Sequence, residues 1–277
     1  MIRSILVGLD DSEFSAAAVD LGIKLAQQHD CTVVGVAVLC EPLFRDSTPP
    51  EKLSASYKPT YDKLVSEAHE HCQGLLAKFS EQASAACVRH KMLEEEGLPA
   101  EQIAIEAQRF DLILLGQETH FNFEASQKAC HTLQKILHNP PRPVLAVPKQ
   151  SLPGSGTLLA YDGSVAASRS LHALVASGLV QAGPTYVLAV DLESQSAAAQ
   201  VAARAVEYLG YHGVAAHSLA VHSQEPPSQI ILDEALAREV QFVAMGAYGR
   251  AGIAEWLFGS TTKHILHRAP VPLFLYH

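Results

Sequence analysis

Short, uninterrupted runs of apolar residues recur along the chain and are separated by longer stretches in which apolar and polar residues follow helical spacing. Typical runs are ILVGL (5–9), LILLG (112–116) and FVAMG (242–246). Continuous apolar runs of about four to eight residues are typical of strands buried on both faces of a parallel sheet. Their alternation with helices predicts right-handed βαβ units and an open, doubly wound sheet.

The same order of strands and helices occurs twice. In each half an apolar strand is followed by an aspartate and then a serine suited to capping the next helix: Asp10 with Ser12, and Asp162 with Ser164. Later strands match in pairs, and each half ends in a strand flanked by proline. The matching pairs are 32–39 with 185–191, 111–116 with 241–246, and 143–147 with 272–276.

We therefore predict an α/β protein of two tandem doubly wound domains with flavodoxin-like winding, each a five-stranded parallel sheet flanked by helices. The expected domains are 1–150 and 155–277, joined by a linker rich in Pro, Ser and Gly. Asp10 and Asp162 are 152 residues apart, whereas Gly116 and Gly246 are 130 apart, so the first half carries 22 extra residues.

We place the extra residues at 41–62, a segment rich in Pro and Ser that leads into a helix at about 61–86. The segment follows the second strand, so it lies at the carboxyl edge of the sheet, where ligands bind in such folds. We expect a lid over the first domain's crevice. A disordered excursion at the surface has about equal weight.

Composition and charge argue against several classes of function. The net charge is −9, with 20 basic and 29 acidic residues, which argues against a nucleic-acid partner. No apolar run approaches the roughly eighteen residues that cross a membrane, and a strand begins too early to leave room for a signal peptide. The five cysteines are odd in number, irregularly spaced and all in the first half, so we expect reduced thiols in a cytoplasmic protein.

A glycine-rich segment in the second half is the main candidate for chemistry. Gly246, Gly249 and Gly259 follow an apolar strand, and Ser260 and Thr261 open the next helix. Glycines allow backbone N–H groups to approach a ligand closely, and a helix N-terminus favours negative charge. Together they predict an anion cradle suited to phosphates. The alternative is that these glycines only make a tight turn.

The spacing of these residues is that of a known signature. Gly246, Gly249, Gly259 and Ser260 match G-x2-G-x9-G-[ST] without gaps. The strand-one aspartate with its serine, the Gly-Arg pair at 249–250 and the final proline-flanked strand also fit. The sequence thus resembles a tandem universal stress protein over almost its whole length outside 41–62. The resemblance implies the adenine-nucleotide alpha-hydrolase-like fold.

The resemblance also implies a ligand, ATP or a similar adenine nucleotide, and a regulatory role in the stress response with a protein partner that the sequence does not identify. It places adenosine against Asp162 and the end of the second strand at Val190, with phosphates on the glycine loop. The carboxylates of Asp162 and Asp191 are candidates for holding Mg²⁺ beside the phosphates. The predicted binding residues are Asp162, Val190, Gly246, Gly249, Arg250, Gly259, Ser260 and Thr261.

The first half departs from this signature. Thr119 stands where the second glycine belongs, and Ala129 and Cys130 replace the Gly-Ser pair. Glu118 adds a negative charge that repels phosphate, and Gly8 replaces the family's usual Pro or Ala. We expect a domain of the same fold with a degenerate phosphate loop, in which the aspartate is structural or serves another ligand.

Catalytic groups are not evident. The chain lacks G-x4-G-K-[ST], and Lys263 near the helix start is as easily solvent-facing as phosphate-binding. No general base adjoins the loop, so we predict a binding module and no catalytic residues. Two alternatives remain open: a protein-interaction module with a vestigial glycine loop, and a slow ATP hydrolase.

Histidines and cysteines add minor candidates. His69 and His71 project from opposite sides of a helix, so only His69 and Cys72 share a face, and we predict no metal site. Cys130 at a helix N-terminus is a candidate for redox sensing, although a small buried residue is the commoner outcome.

The last strand of each half is short and apolar, and in the family such strands lie at a sheet edge. An apolar edge invites association unless it is paired. We therefore expect 143–147 and 272–276 to pair with each other, as a pseudo-dimer within the chain. A homodimer of whole chains is a further possibility.

Overall fold

In the computed structural model, the described residues are 1–40, 58–121, 131–181, 183–247 and 260–277. The chain forms two compact units. The N-terminal unit is Arg3–Ile136, and the C-terminal unit combines Met1–Ile2 with Leu137–His277. Among the described residues, every helix is too short or too polar to span a bilayer.

The N-terminal unit is a parallel sheet in the order β3-β2-β1-β4 with helices between the strands. In β1 and β4 nearly every side chain is buried, as expected for strands covered on both faces. Its elements are β1 (Ser4–Gly8), α1 (Glu13–His29), β2 (Thr32–Leu39), α2 (Lys58–Ala85), β3 (His90–Glu96), α3 (Pro99–Ala107) and β4 (Leu112–Gly116), followed by α4 (Thr132–His138), which reaches into the next unit.

The C-terminal unit repeats this winding, in the strand order β5-β10-β9-β6-β7-β8. All pairs from β10 to β8 are parallel, which confirms the predicted doubly wound α/β fold. Its elements are β5 (Val144–Val147), β6 (Thr157–Ala160), α5 (Val165–Ser177), β7 (Thr185–Asp191), α6 (Gln195–Tyr211), β8 (Ala216–His222), α7 (Pro227–Ala237), β9 (Phe242–Gly246), α8 (Ser260–Arg268) and β10 (Leu273–Tyr276).

The pairing predicted for the two terminal strands is confirmed. β5 runs antiparallel to β10, with Leu145 opposite Phe274. This pairing explains why β5 is counted with the C-terminal unit, although the sequence assigns it to the first domain. Both strands are apolar and buried, so neither presents an apolar sheet edge to solvent.

Strand register locates the length difference between the halves. Val36 and Leu188 hold equivalent positions 152 residues apart, whereas Leu93 and Leu219 are only 126 apart. The first half is therefore longer between β2 and β3. Part of the excess is helical, because α2 has 28 residues against 17 in α6 and begins at Lys58, earlier than expected. Most of the predicted lid, 41–57, lies outside the described residues and stays a prediction.

Candidate functional site

The carboxyl ends of three parallel strands bring predicted binding residues to one edge of the C-terminal unit. Ala160 of β6 pairs with Leu188 of β7 on one side and with Met245 of β9 on the other. Asp162 follows β6 by two residues, and Val190 is the penultimate residue of β7. Ligands of doubly wound sheets bind at this edge.

Asp162 lies in the turn between β6 and α5. Gly163 has a φ of +74°, a conformation that glycine adopts without strain. The Asp162 Oδ1 accepts a hydrogen bond from the Ser164 N–H at 2.9 Å, and the Ser164 Oγ caps α5 by accepting from the Ala167 N–H at 3.1 Å. Asp162 itself is exposed, so its carboxylate is held at the rim and reaches solvent.

Asp191, the Mg²⁺ candidate at the end of β7, organises the start of α6. Its Oδ1 accepts hydrogen bonds from the N–H groups of Glu193 and Ser194, at 2.8 and 2.9 Å. The Ser194 Oγ in turn accepts from the Ala197 N–H. One carboxylate oxygen of Asp191 thus has a structural task that the sequence did not indicate.

Gly246 has a packing role as well as its place in the signature. A Cβ at this position would lie 2.6 Å from the Ala167 backbone nitrogen, because the start of α5 presses against the end of β9. The following residue, Ala247, donates its N–H to the Tyr276 carbonyl at 3.1 Å. Glycine is therefore needed here whether or not phosphate is bound.

The loop that completes the predicted site lies mostly outside the described residues. Gly249, Arg250 and Gly259 fall within 248–259, which the structure does not describe. α8 begins at Ser260, where the sequence predicts a helix start, and Thr261 is half-buried behind it. Lys263 is exposed, so its side chain faces solvent.

The equivalent aspartate of the N-terminal unit, Asp10, is buried and engaged by the protein itself. Asp10 is 8% exposed. Its Oδ1 accepts from the Ser12 N–H at 2.8 Å and from the Ser12 hydroxyl, while its Oδ2 accepts from the His120 N–H at 2.7 Å. Both carboxylate oxygens are therefore engaged by the chain itself.

Phe121 fills the space beside this aspartate. Its ring is 4% exposed and would lie 3.0 Å from a Cβ placed on Gly8, and the Leu115 Cδ2 would lie only 2.4 Å away. The absence of a side chain at Gly8 thus makes room for Leu115 and Phe121. A cavity of about 220 Å³ remains between Asp10, Val38 and Phe121.

Sequence reasoning missed His120 and Phe121. The available signal was Gly8, which stands where the second half has Ala160 and so leaves room for a bulky group nearby. The partner could not be identified from sequence, because it lies 113 residues away along the chain.

The two histidines on α2 contact different carboxylates, as the helical geometry predicts. The His69 Nδ1 lies 2.8 Å from the Glu94 carboxylate, and the His71 Nε2 lies 2.6 Å from that of Asp11. In the described part of the chain no three His, Cys, Asp or Glu side chains are grouped to hold a metal ion. Burial raises the pKa of the Cys72 thiol to about 11, with Glu94 and Asp11 adding to the shift. Cys130 lies outside the described residues.

The architecture defines a class: a tandem α/β protein in which two doubly wound units each carry a strand-one aspartate and a serine-capped helix. A sequence profile of the Universal stress protein family matches residues 1–148 and 157–277, so the chain belongs to that family. The domain limits drawn from the sequence remain a prediction.

Individual relatives agree with this assignment. Universal stress protein Slr1230 from Synechocystis sp. is 27% identical over 171 residues, which is 60% of this chain and 58% of the relative. A universal stress protein from Archaeoglobus fulgidus DSM 4304 shares the fold with a TM-score of 0.74 at 20% identity, over 99% of this chain and 97% of that one. The functionally unknown protein PA1789 from Pseudomonas aeruginosa PAO1 gives 0.57 at 19% identity, over 99% and 92%.

Proposed function

We propose that the C-terminal unit binds ATP or a similar adenine nucleotide, and that nucleotide binding sets the interaction of this chain with a protein partner during stress. The observation that carries the proposal is the G-x2-G-x9-G-[ST] spacing between β9 and α8. A glycine-rich segment between a buried strand and a helix N-terminus suits a phosphate chain.

The residues at the carboxyl ends of β6 and β7 suit the nucleoside part of the ligand. Asp162 is an exposed acceptor at the rim, and carboxylates of this kind bind ribose hydroxyls in doubly wound folds. Val190 is the penultimate residue of the neighbouring strand, β7, where backbone groups can meet an adenine. Arg250, Ser260 and Thr261 complete the proposed phosphate end.

The two units differ in how well their strand-one edge could accept a nucleotide. In the N-terminal unit both Asp10 oxygens accept hydrogen bonds from the chain, and Phe121 occupies adjacent space. Glu118 is exposed at the loop and repels phosphate. We therefore assign nucleotide binding to the C-terminal unit alone.

The proposed role is that of a binding module. Lys263 faces solvent, and Asp191 spends one oxygen on capping the turn before α6. Asp162 and Asp191 both remain candidates for a contact to Mg²⁺ bound with the phosphates, since each uses its Oδ1 to accept a hydrogen bond from the turn that follows its strand. Slow hydrolysis would be a secondary property of this arrangement.

Paired substitutions test the proposal by calorimetry with ATP. Gly259→Val introduces a branched side chain where the backbone must approach phosphate, and we expect at least about tenfold weaker binding, or roughly 1.4 kcal/mol. Ala129→Val changes the equivalent position of the first half and serves as the matched control. Equal effects of the two changes, or no ATP binding by the unmodified protein at millimolar concentration, would contradict the proposal.

A further inference from the structure

The cavity of about 220 Å³ in the N-terminal unit lies beside the carboxyl end of β2, and we call it the first crevice. It adjoins a wider cavity of about 460 Å³ between α1 and α2. Both cavities are lined by Leu9, Asp10, Asp11, His71 and Leu75. They are therefore parts of one space, and the wider part gives access to the narrower. The first crevice is smaller than the roughly 300–1,000 Å³ of a drug-sized site, so it suits a molecule of about one ring.

Strand register shows where the backbone of Val38 points. Alternate residues of β2 face β3, and the residues between them face β1. Val36 is one of the latter, because its C=O accepts from the Leu9 N–H at 2.9 Å. Val38 is the next residue on this side, and β1 has already ended at Gly8. The N–H and C=O of Val38 therefore point past the end of β1 into the first crevice, which Val38 lines.

These two backbone groups are buried and unpartnered. Among the described residues, neither the N–H nor the C=O of Val38 takes part in a hydrogen bond, although the residue is only 2% exposed. Buried backbone groups without a partner are rare in folded proteins, and such groups mark a place where a bound molecule completes the pairing. The equivalent residue of the second half, Val190, is partly exposed, so solvent reaches it.

The carboxylates at the first crevice already have partners within the protein. The Asp10 oxygens accept hydrogen bonds from the N–H groups of Ser12 and His120. The Asp11 carboxylate lies 2.6 Å from the His71 Nε2. A cationic ligand therefore meets no unpaired carboxylate among the described lining residues, and an anionic ligand is repelled by the two that are present. The crevice suits an uncharged molecule.

We propose that the first crevice binds a small, uncharged aromatic molecule that carries a hydrogen-bond acceptor and a donor side by side on one edge, as in a primary carboxamide or an amino-heterocycle. The Val38 N–H donates to the ligand's acceptor, and the Val38 C=O accepts from its donor. The ring lies against the apolar part of the lining, which is Leu9, Leu75 and Phe121. The site is independent of the proposed nucleotide site, because no residue of the glycine loop takes part in it.

Titrations followed by protein NMR test the site directly, with the Val38 amide as the reporter. Three probes share one ring: nicotinamide has the acceptor–donor edge, methyl nicotinate keeps the acceptor but lacks the donor, and nicotinate is charged. Each is added up to about 10 mM, because molecules of this size bind in the millimolar range. We expect nicotinamide to shift the Val38 amide signal, and the other two probes to bind at least tenfold more weakly.

Cytosine represents the amino-heterocycles in the same titration. The tighter binder of cytosine and nicotinamide identifies the source of the acceptor–donor edge, and a Val38 shift with either one supports the proposal. A Val38 signal that both leave unchanged would overturn it. Binding of methyl nicotinate or nicotinate as tight as that of nicotinamide would overturn it as well, because the edge or the lack of charge would then be irrelevant.

Two substitutions of Cys72 link binding to the first crevice. Cys72 lines the crevice and is 1% exposed. Cys72→Met places a longer side chain in the crevice, and Cys72→Ala is the matched control that leaves it open. We expect Cys72→Met to weaken binding of the tighter probe at least tenfold and Cys72→Ala to leave it unchanged, with thermal unfolding as the check that both are folded. Undiminished binding by folded Cys72→Met would place the ligand elsewhere and contradict the proposal.

ATP in the same NMR titration keeps this proposal apart from the proposed nucleotide function. We expect ATP to leave the Val38 signal unchanged, because Asp10, Asp11 and Glu118 repel its phosphates. A protein that binds nicotinamide or cytosine but no ATP would overturn the nucleotide proposal alone. A Val38 shift caused by ATP and reversed by nicotinamide would overturn the assignment of an uncharged ligand to the first crevice.

Discussion

The strand-one aspartates of the two halves share a local motif and differ in their surroundings. Each accepts a hydrogen bond from the N–H of the serine two residues later, and each serine caps the following helix. Asp10 is buried and also accepts from the His120 N–H, whereas Asp162 is exposed. A conserved local geometry therefore does not determine whether a carboxylate is available to a ligand.

The origin of the difference is the chain that follows β4. In the first half this segment returns over the end of β1, where Thr119 and Phe121 are buried. Gly8 has no side chain to oppose Phe121, while its counterpart in the second half is Ala160. The first half thus uses protein atoms where the second half, in our proposal, uses nucleotide atoms.

Removing the Phe121 ring should have the largest effect on this contrast. Phe121→Ala deletes a buried aromatic side chain and should lower the free energy of unfolding by about 3–5 kcal/mol. Urea denaturation measures the loss, and ATP binding should stay unchanged in the folded variant. A loss under about 1 kcal/mol would mean that Phe121 does not fill the crevice.

Exchanging each aspartate for asparagine should lower stability in the first half and ATP affinity in the second half. Asp10→Asn weakens charge-assisted hydrogen bonds inside the protein and should cost about 2–3 kcal/mol of stability, with ATP affinity unchanged. Asp162→Asn should leave stability nearly unaltered and weaken ATP binding severalfold. Denaturation and calorimetry on the same two variants check both statements. If the two variants changed stability and ATP affinity in the same way, the proposed difference between the two aspartates would be wrong.

Alkaline pH should lower the stability of the N-terminal unit, because Cys72 is buried there. The counterpart of Cys72 in the second half is Ala198. Burial raises the pKa of this thiol from 9.0 to about 11, so the unfolded chain loses its proton first. Stability linked to Cys72 is therefore complete below pH 9 and decreases by about 2 kcal/mol as the pH rises to 11. Cys72→Ala should flatten this part of the stability curve, and an identical slope in both proteins would refute the assignment.

The helix caps should give the smallest and most similar effects. Ser164→Ala removes one capping hydrogen bond and should cost about 1 kcal/mol. Ser12→Ala should cost somewhat more, because the Ser12 hydroxyl also donates to Asp10. Thermal unfolding of the two variants compares them directly. A larger cost for Ser164→Ala would contradict the more connected role of Ser12.

Sequence patterns predicted the repeated fold because its strands are continuous apolar runs and its first helices have capping serines. The pairing of β5 with β10 was predicted from two short, proline-flanked apolar segments together with the place at a sheet edge that the family resemblance implies for them. These features are local, and each half supplies an independent copy of them. The repeat therefore allowed the fold to be predicted from the sequence.

Other features depend on contacts between distant residues and could not be predicted. The closure of the first crevice joins Asp10 to His120, and the need for Gly246 comes from the approach of Ala167. Neither of these contacts leaves a periodic signal in the sequence.

The number of nucleotides bound per chain tests the central claim most directly. Native mass spectrometry of the full-length protein with saturating ATP measures this number for the unmodified chain and for Gly259→Val. The asymmetry of the two halves predicts one ATP per chain, lost in Gly259→Val and retained in Ala129→Val. Two nucleotides per chain, or one that survives Gly259→Val and disappears in Asp10→Asn, would contradict it.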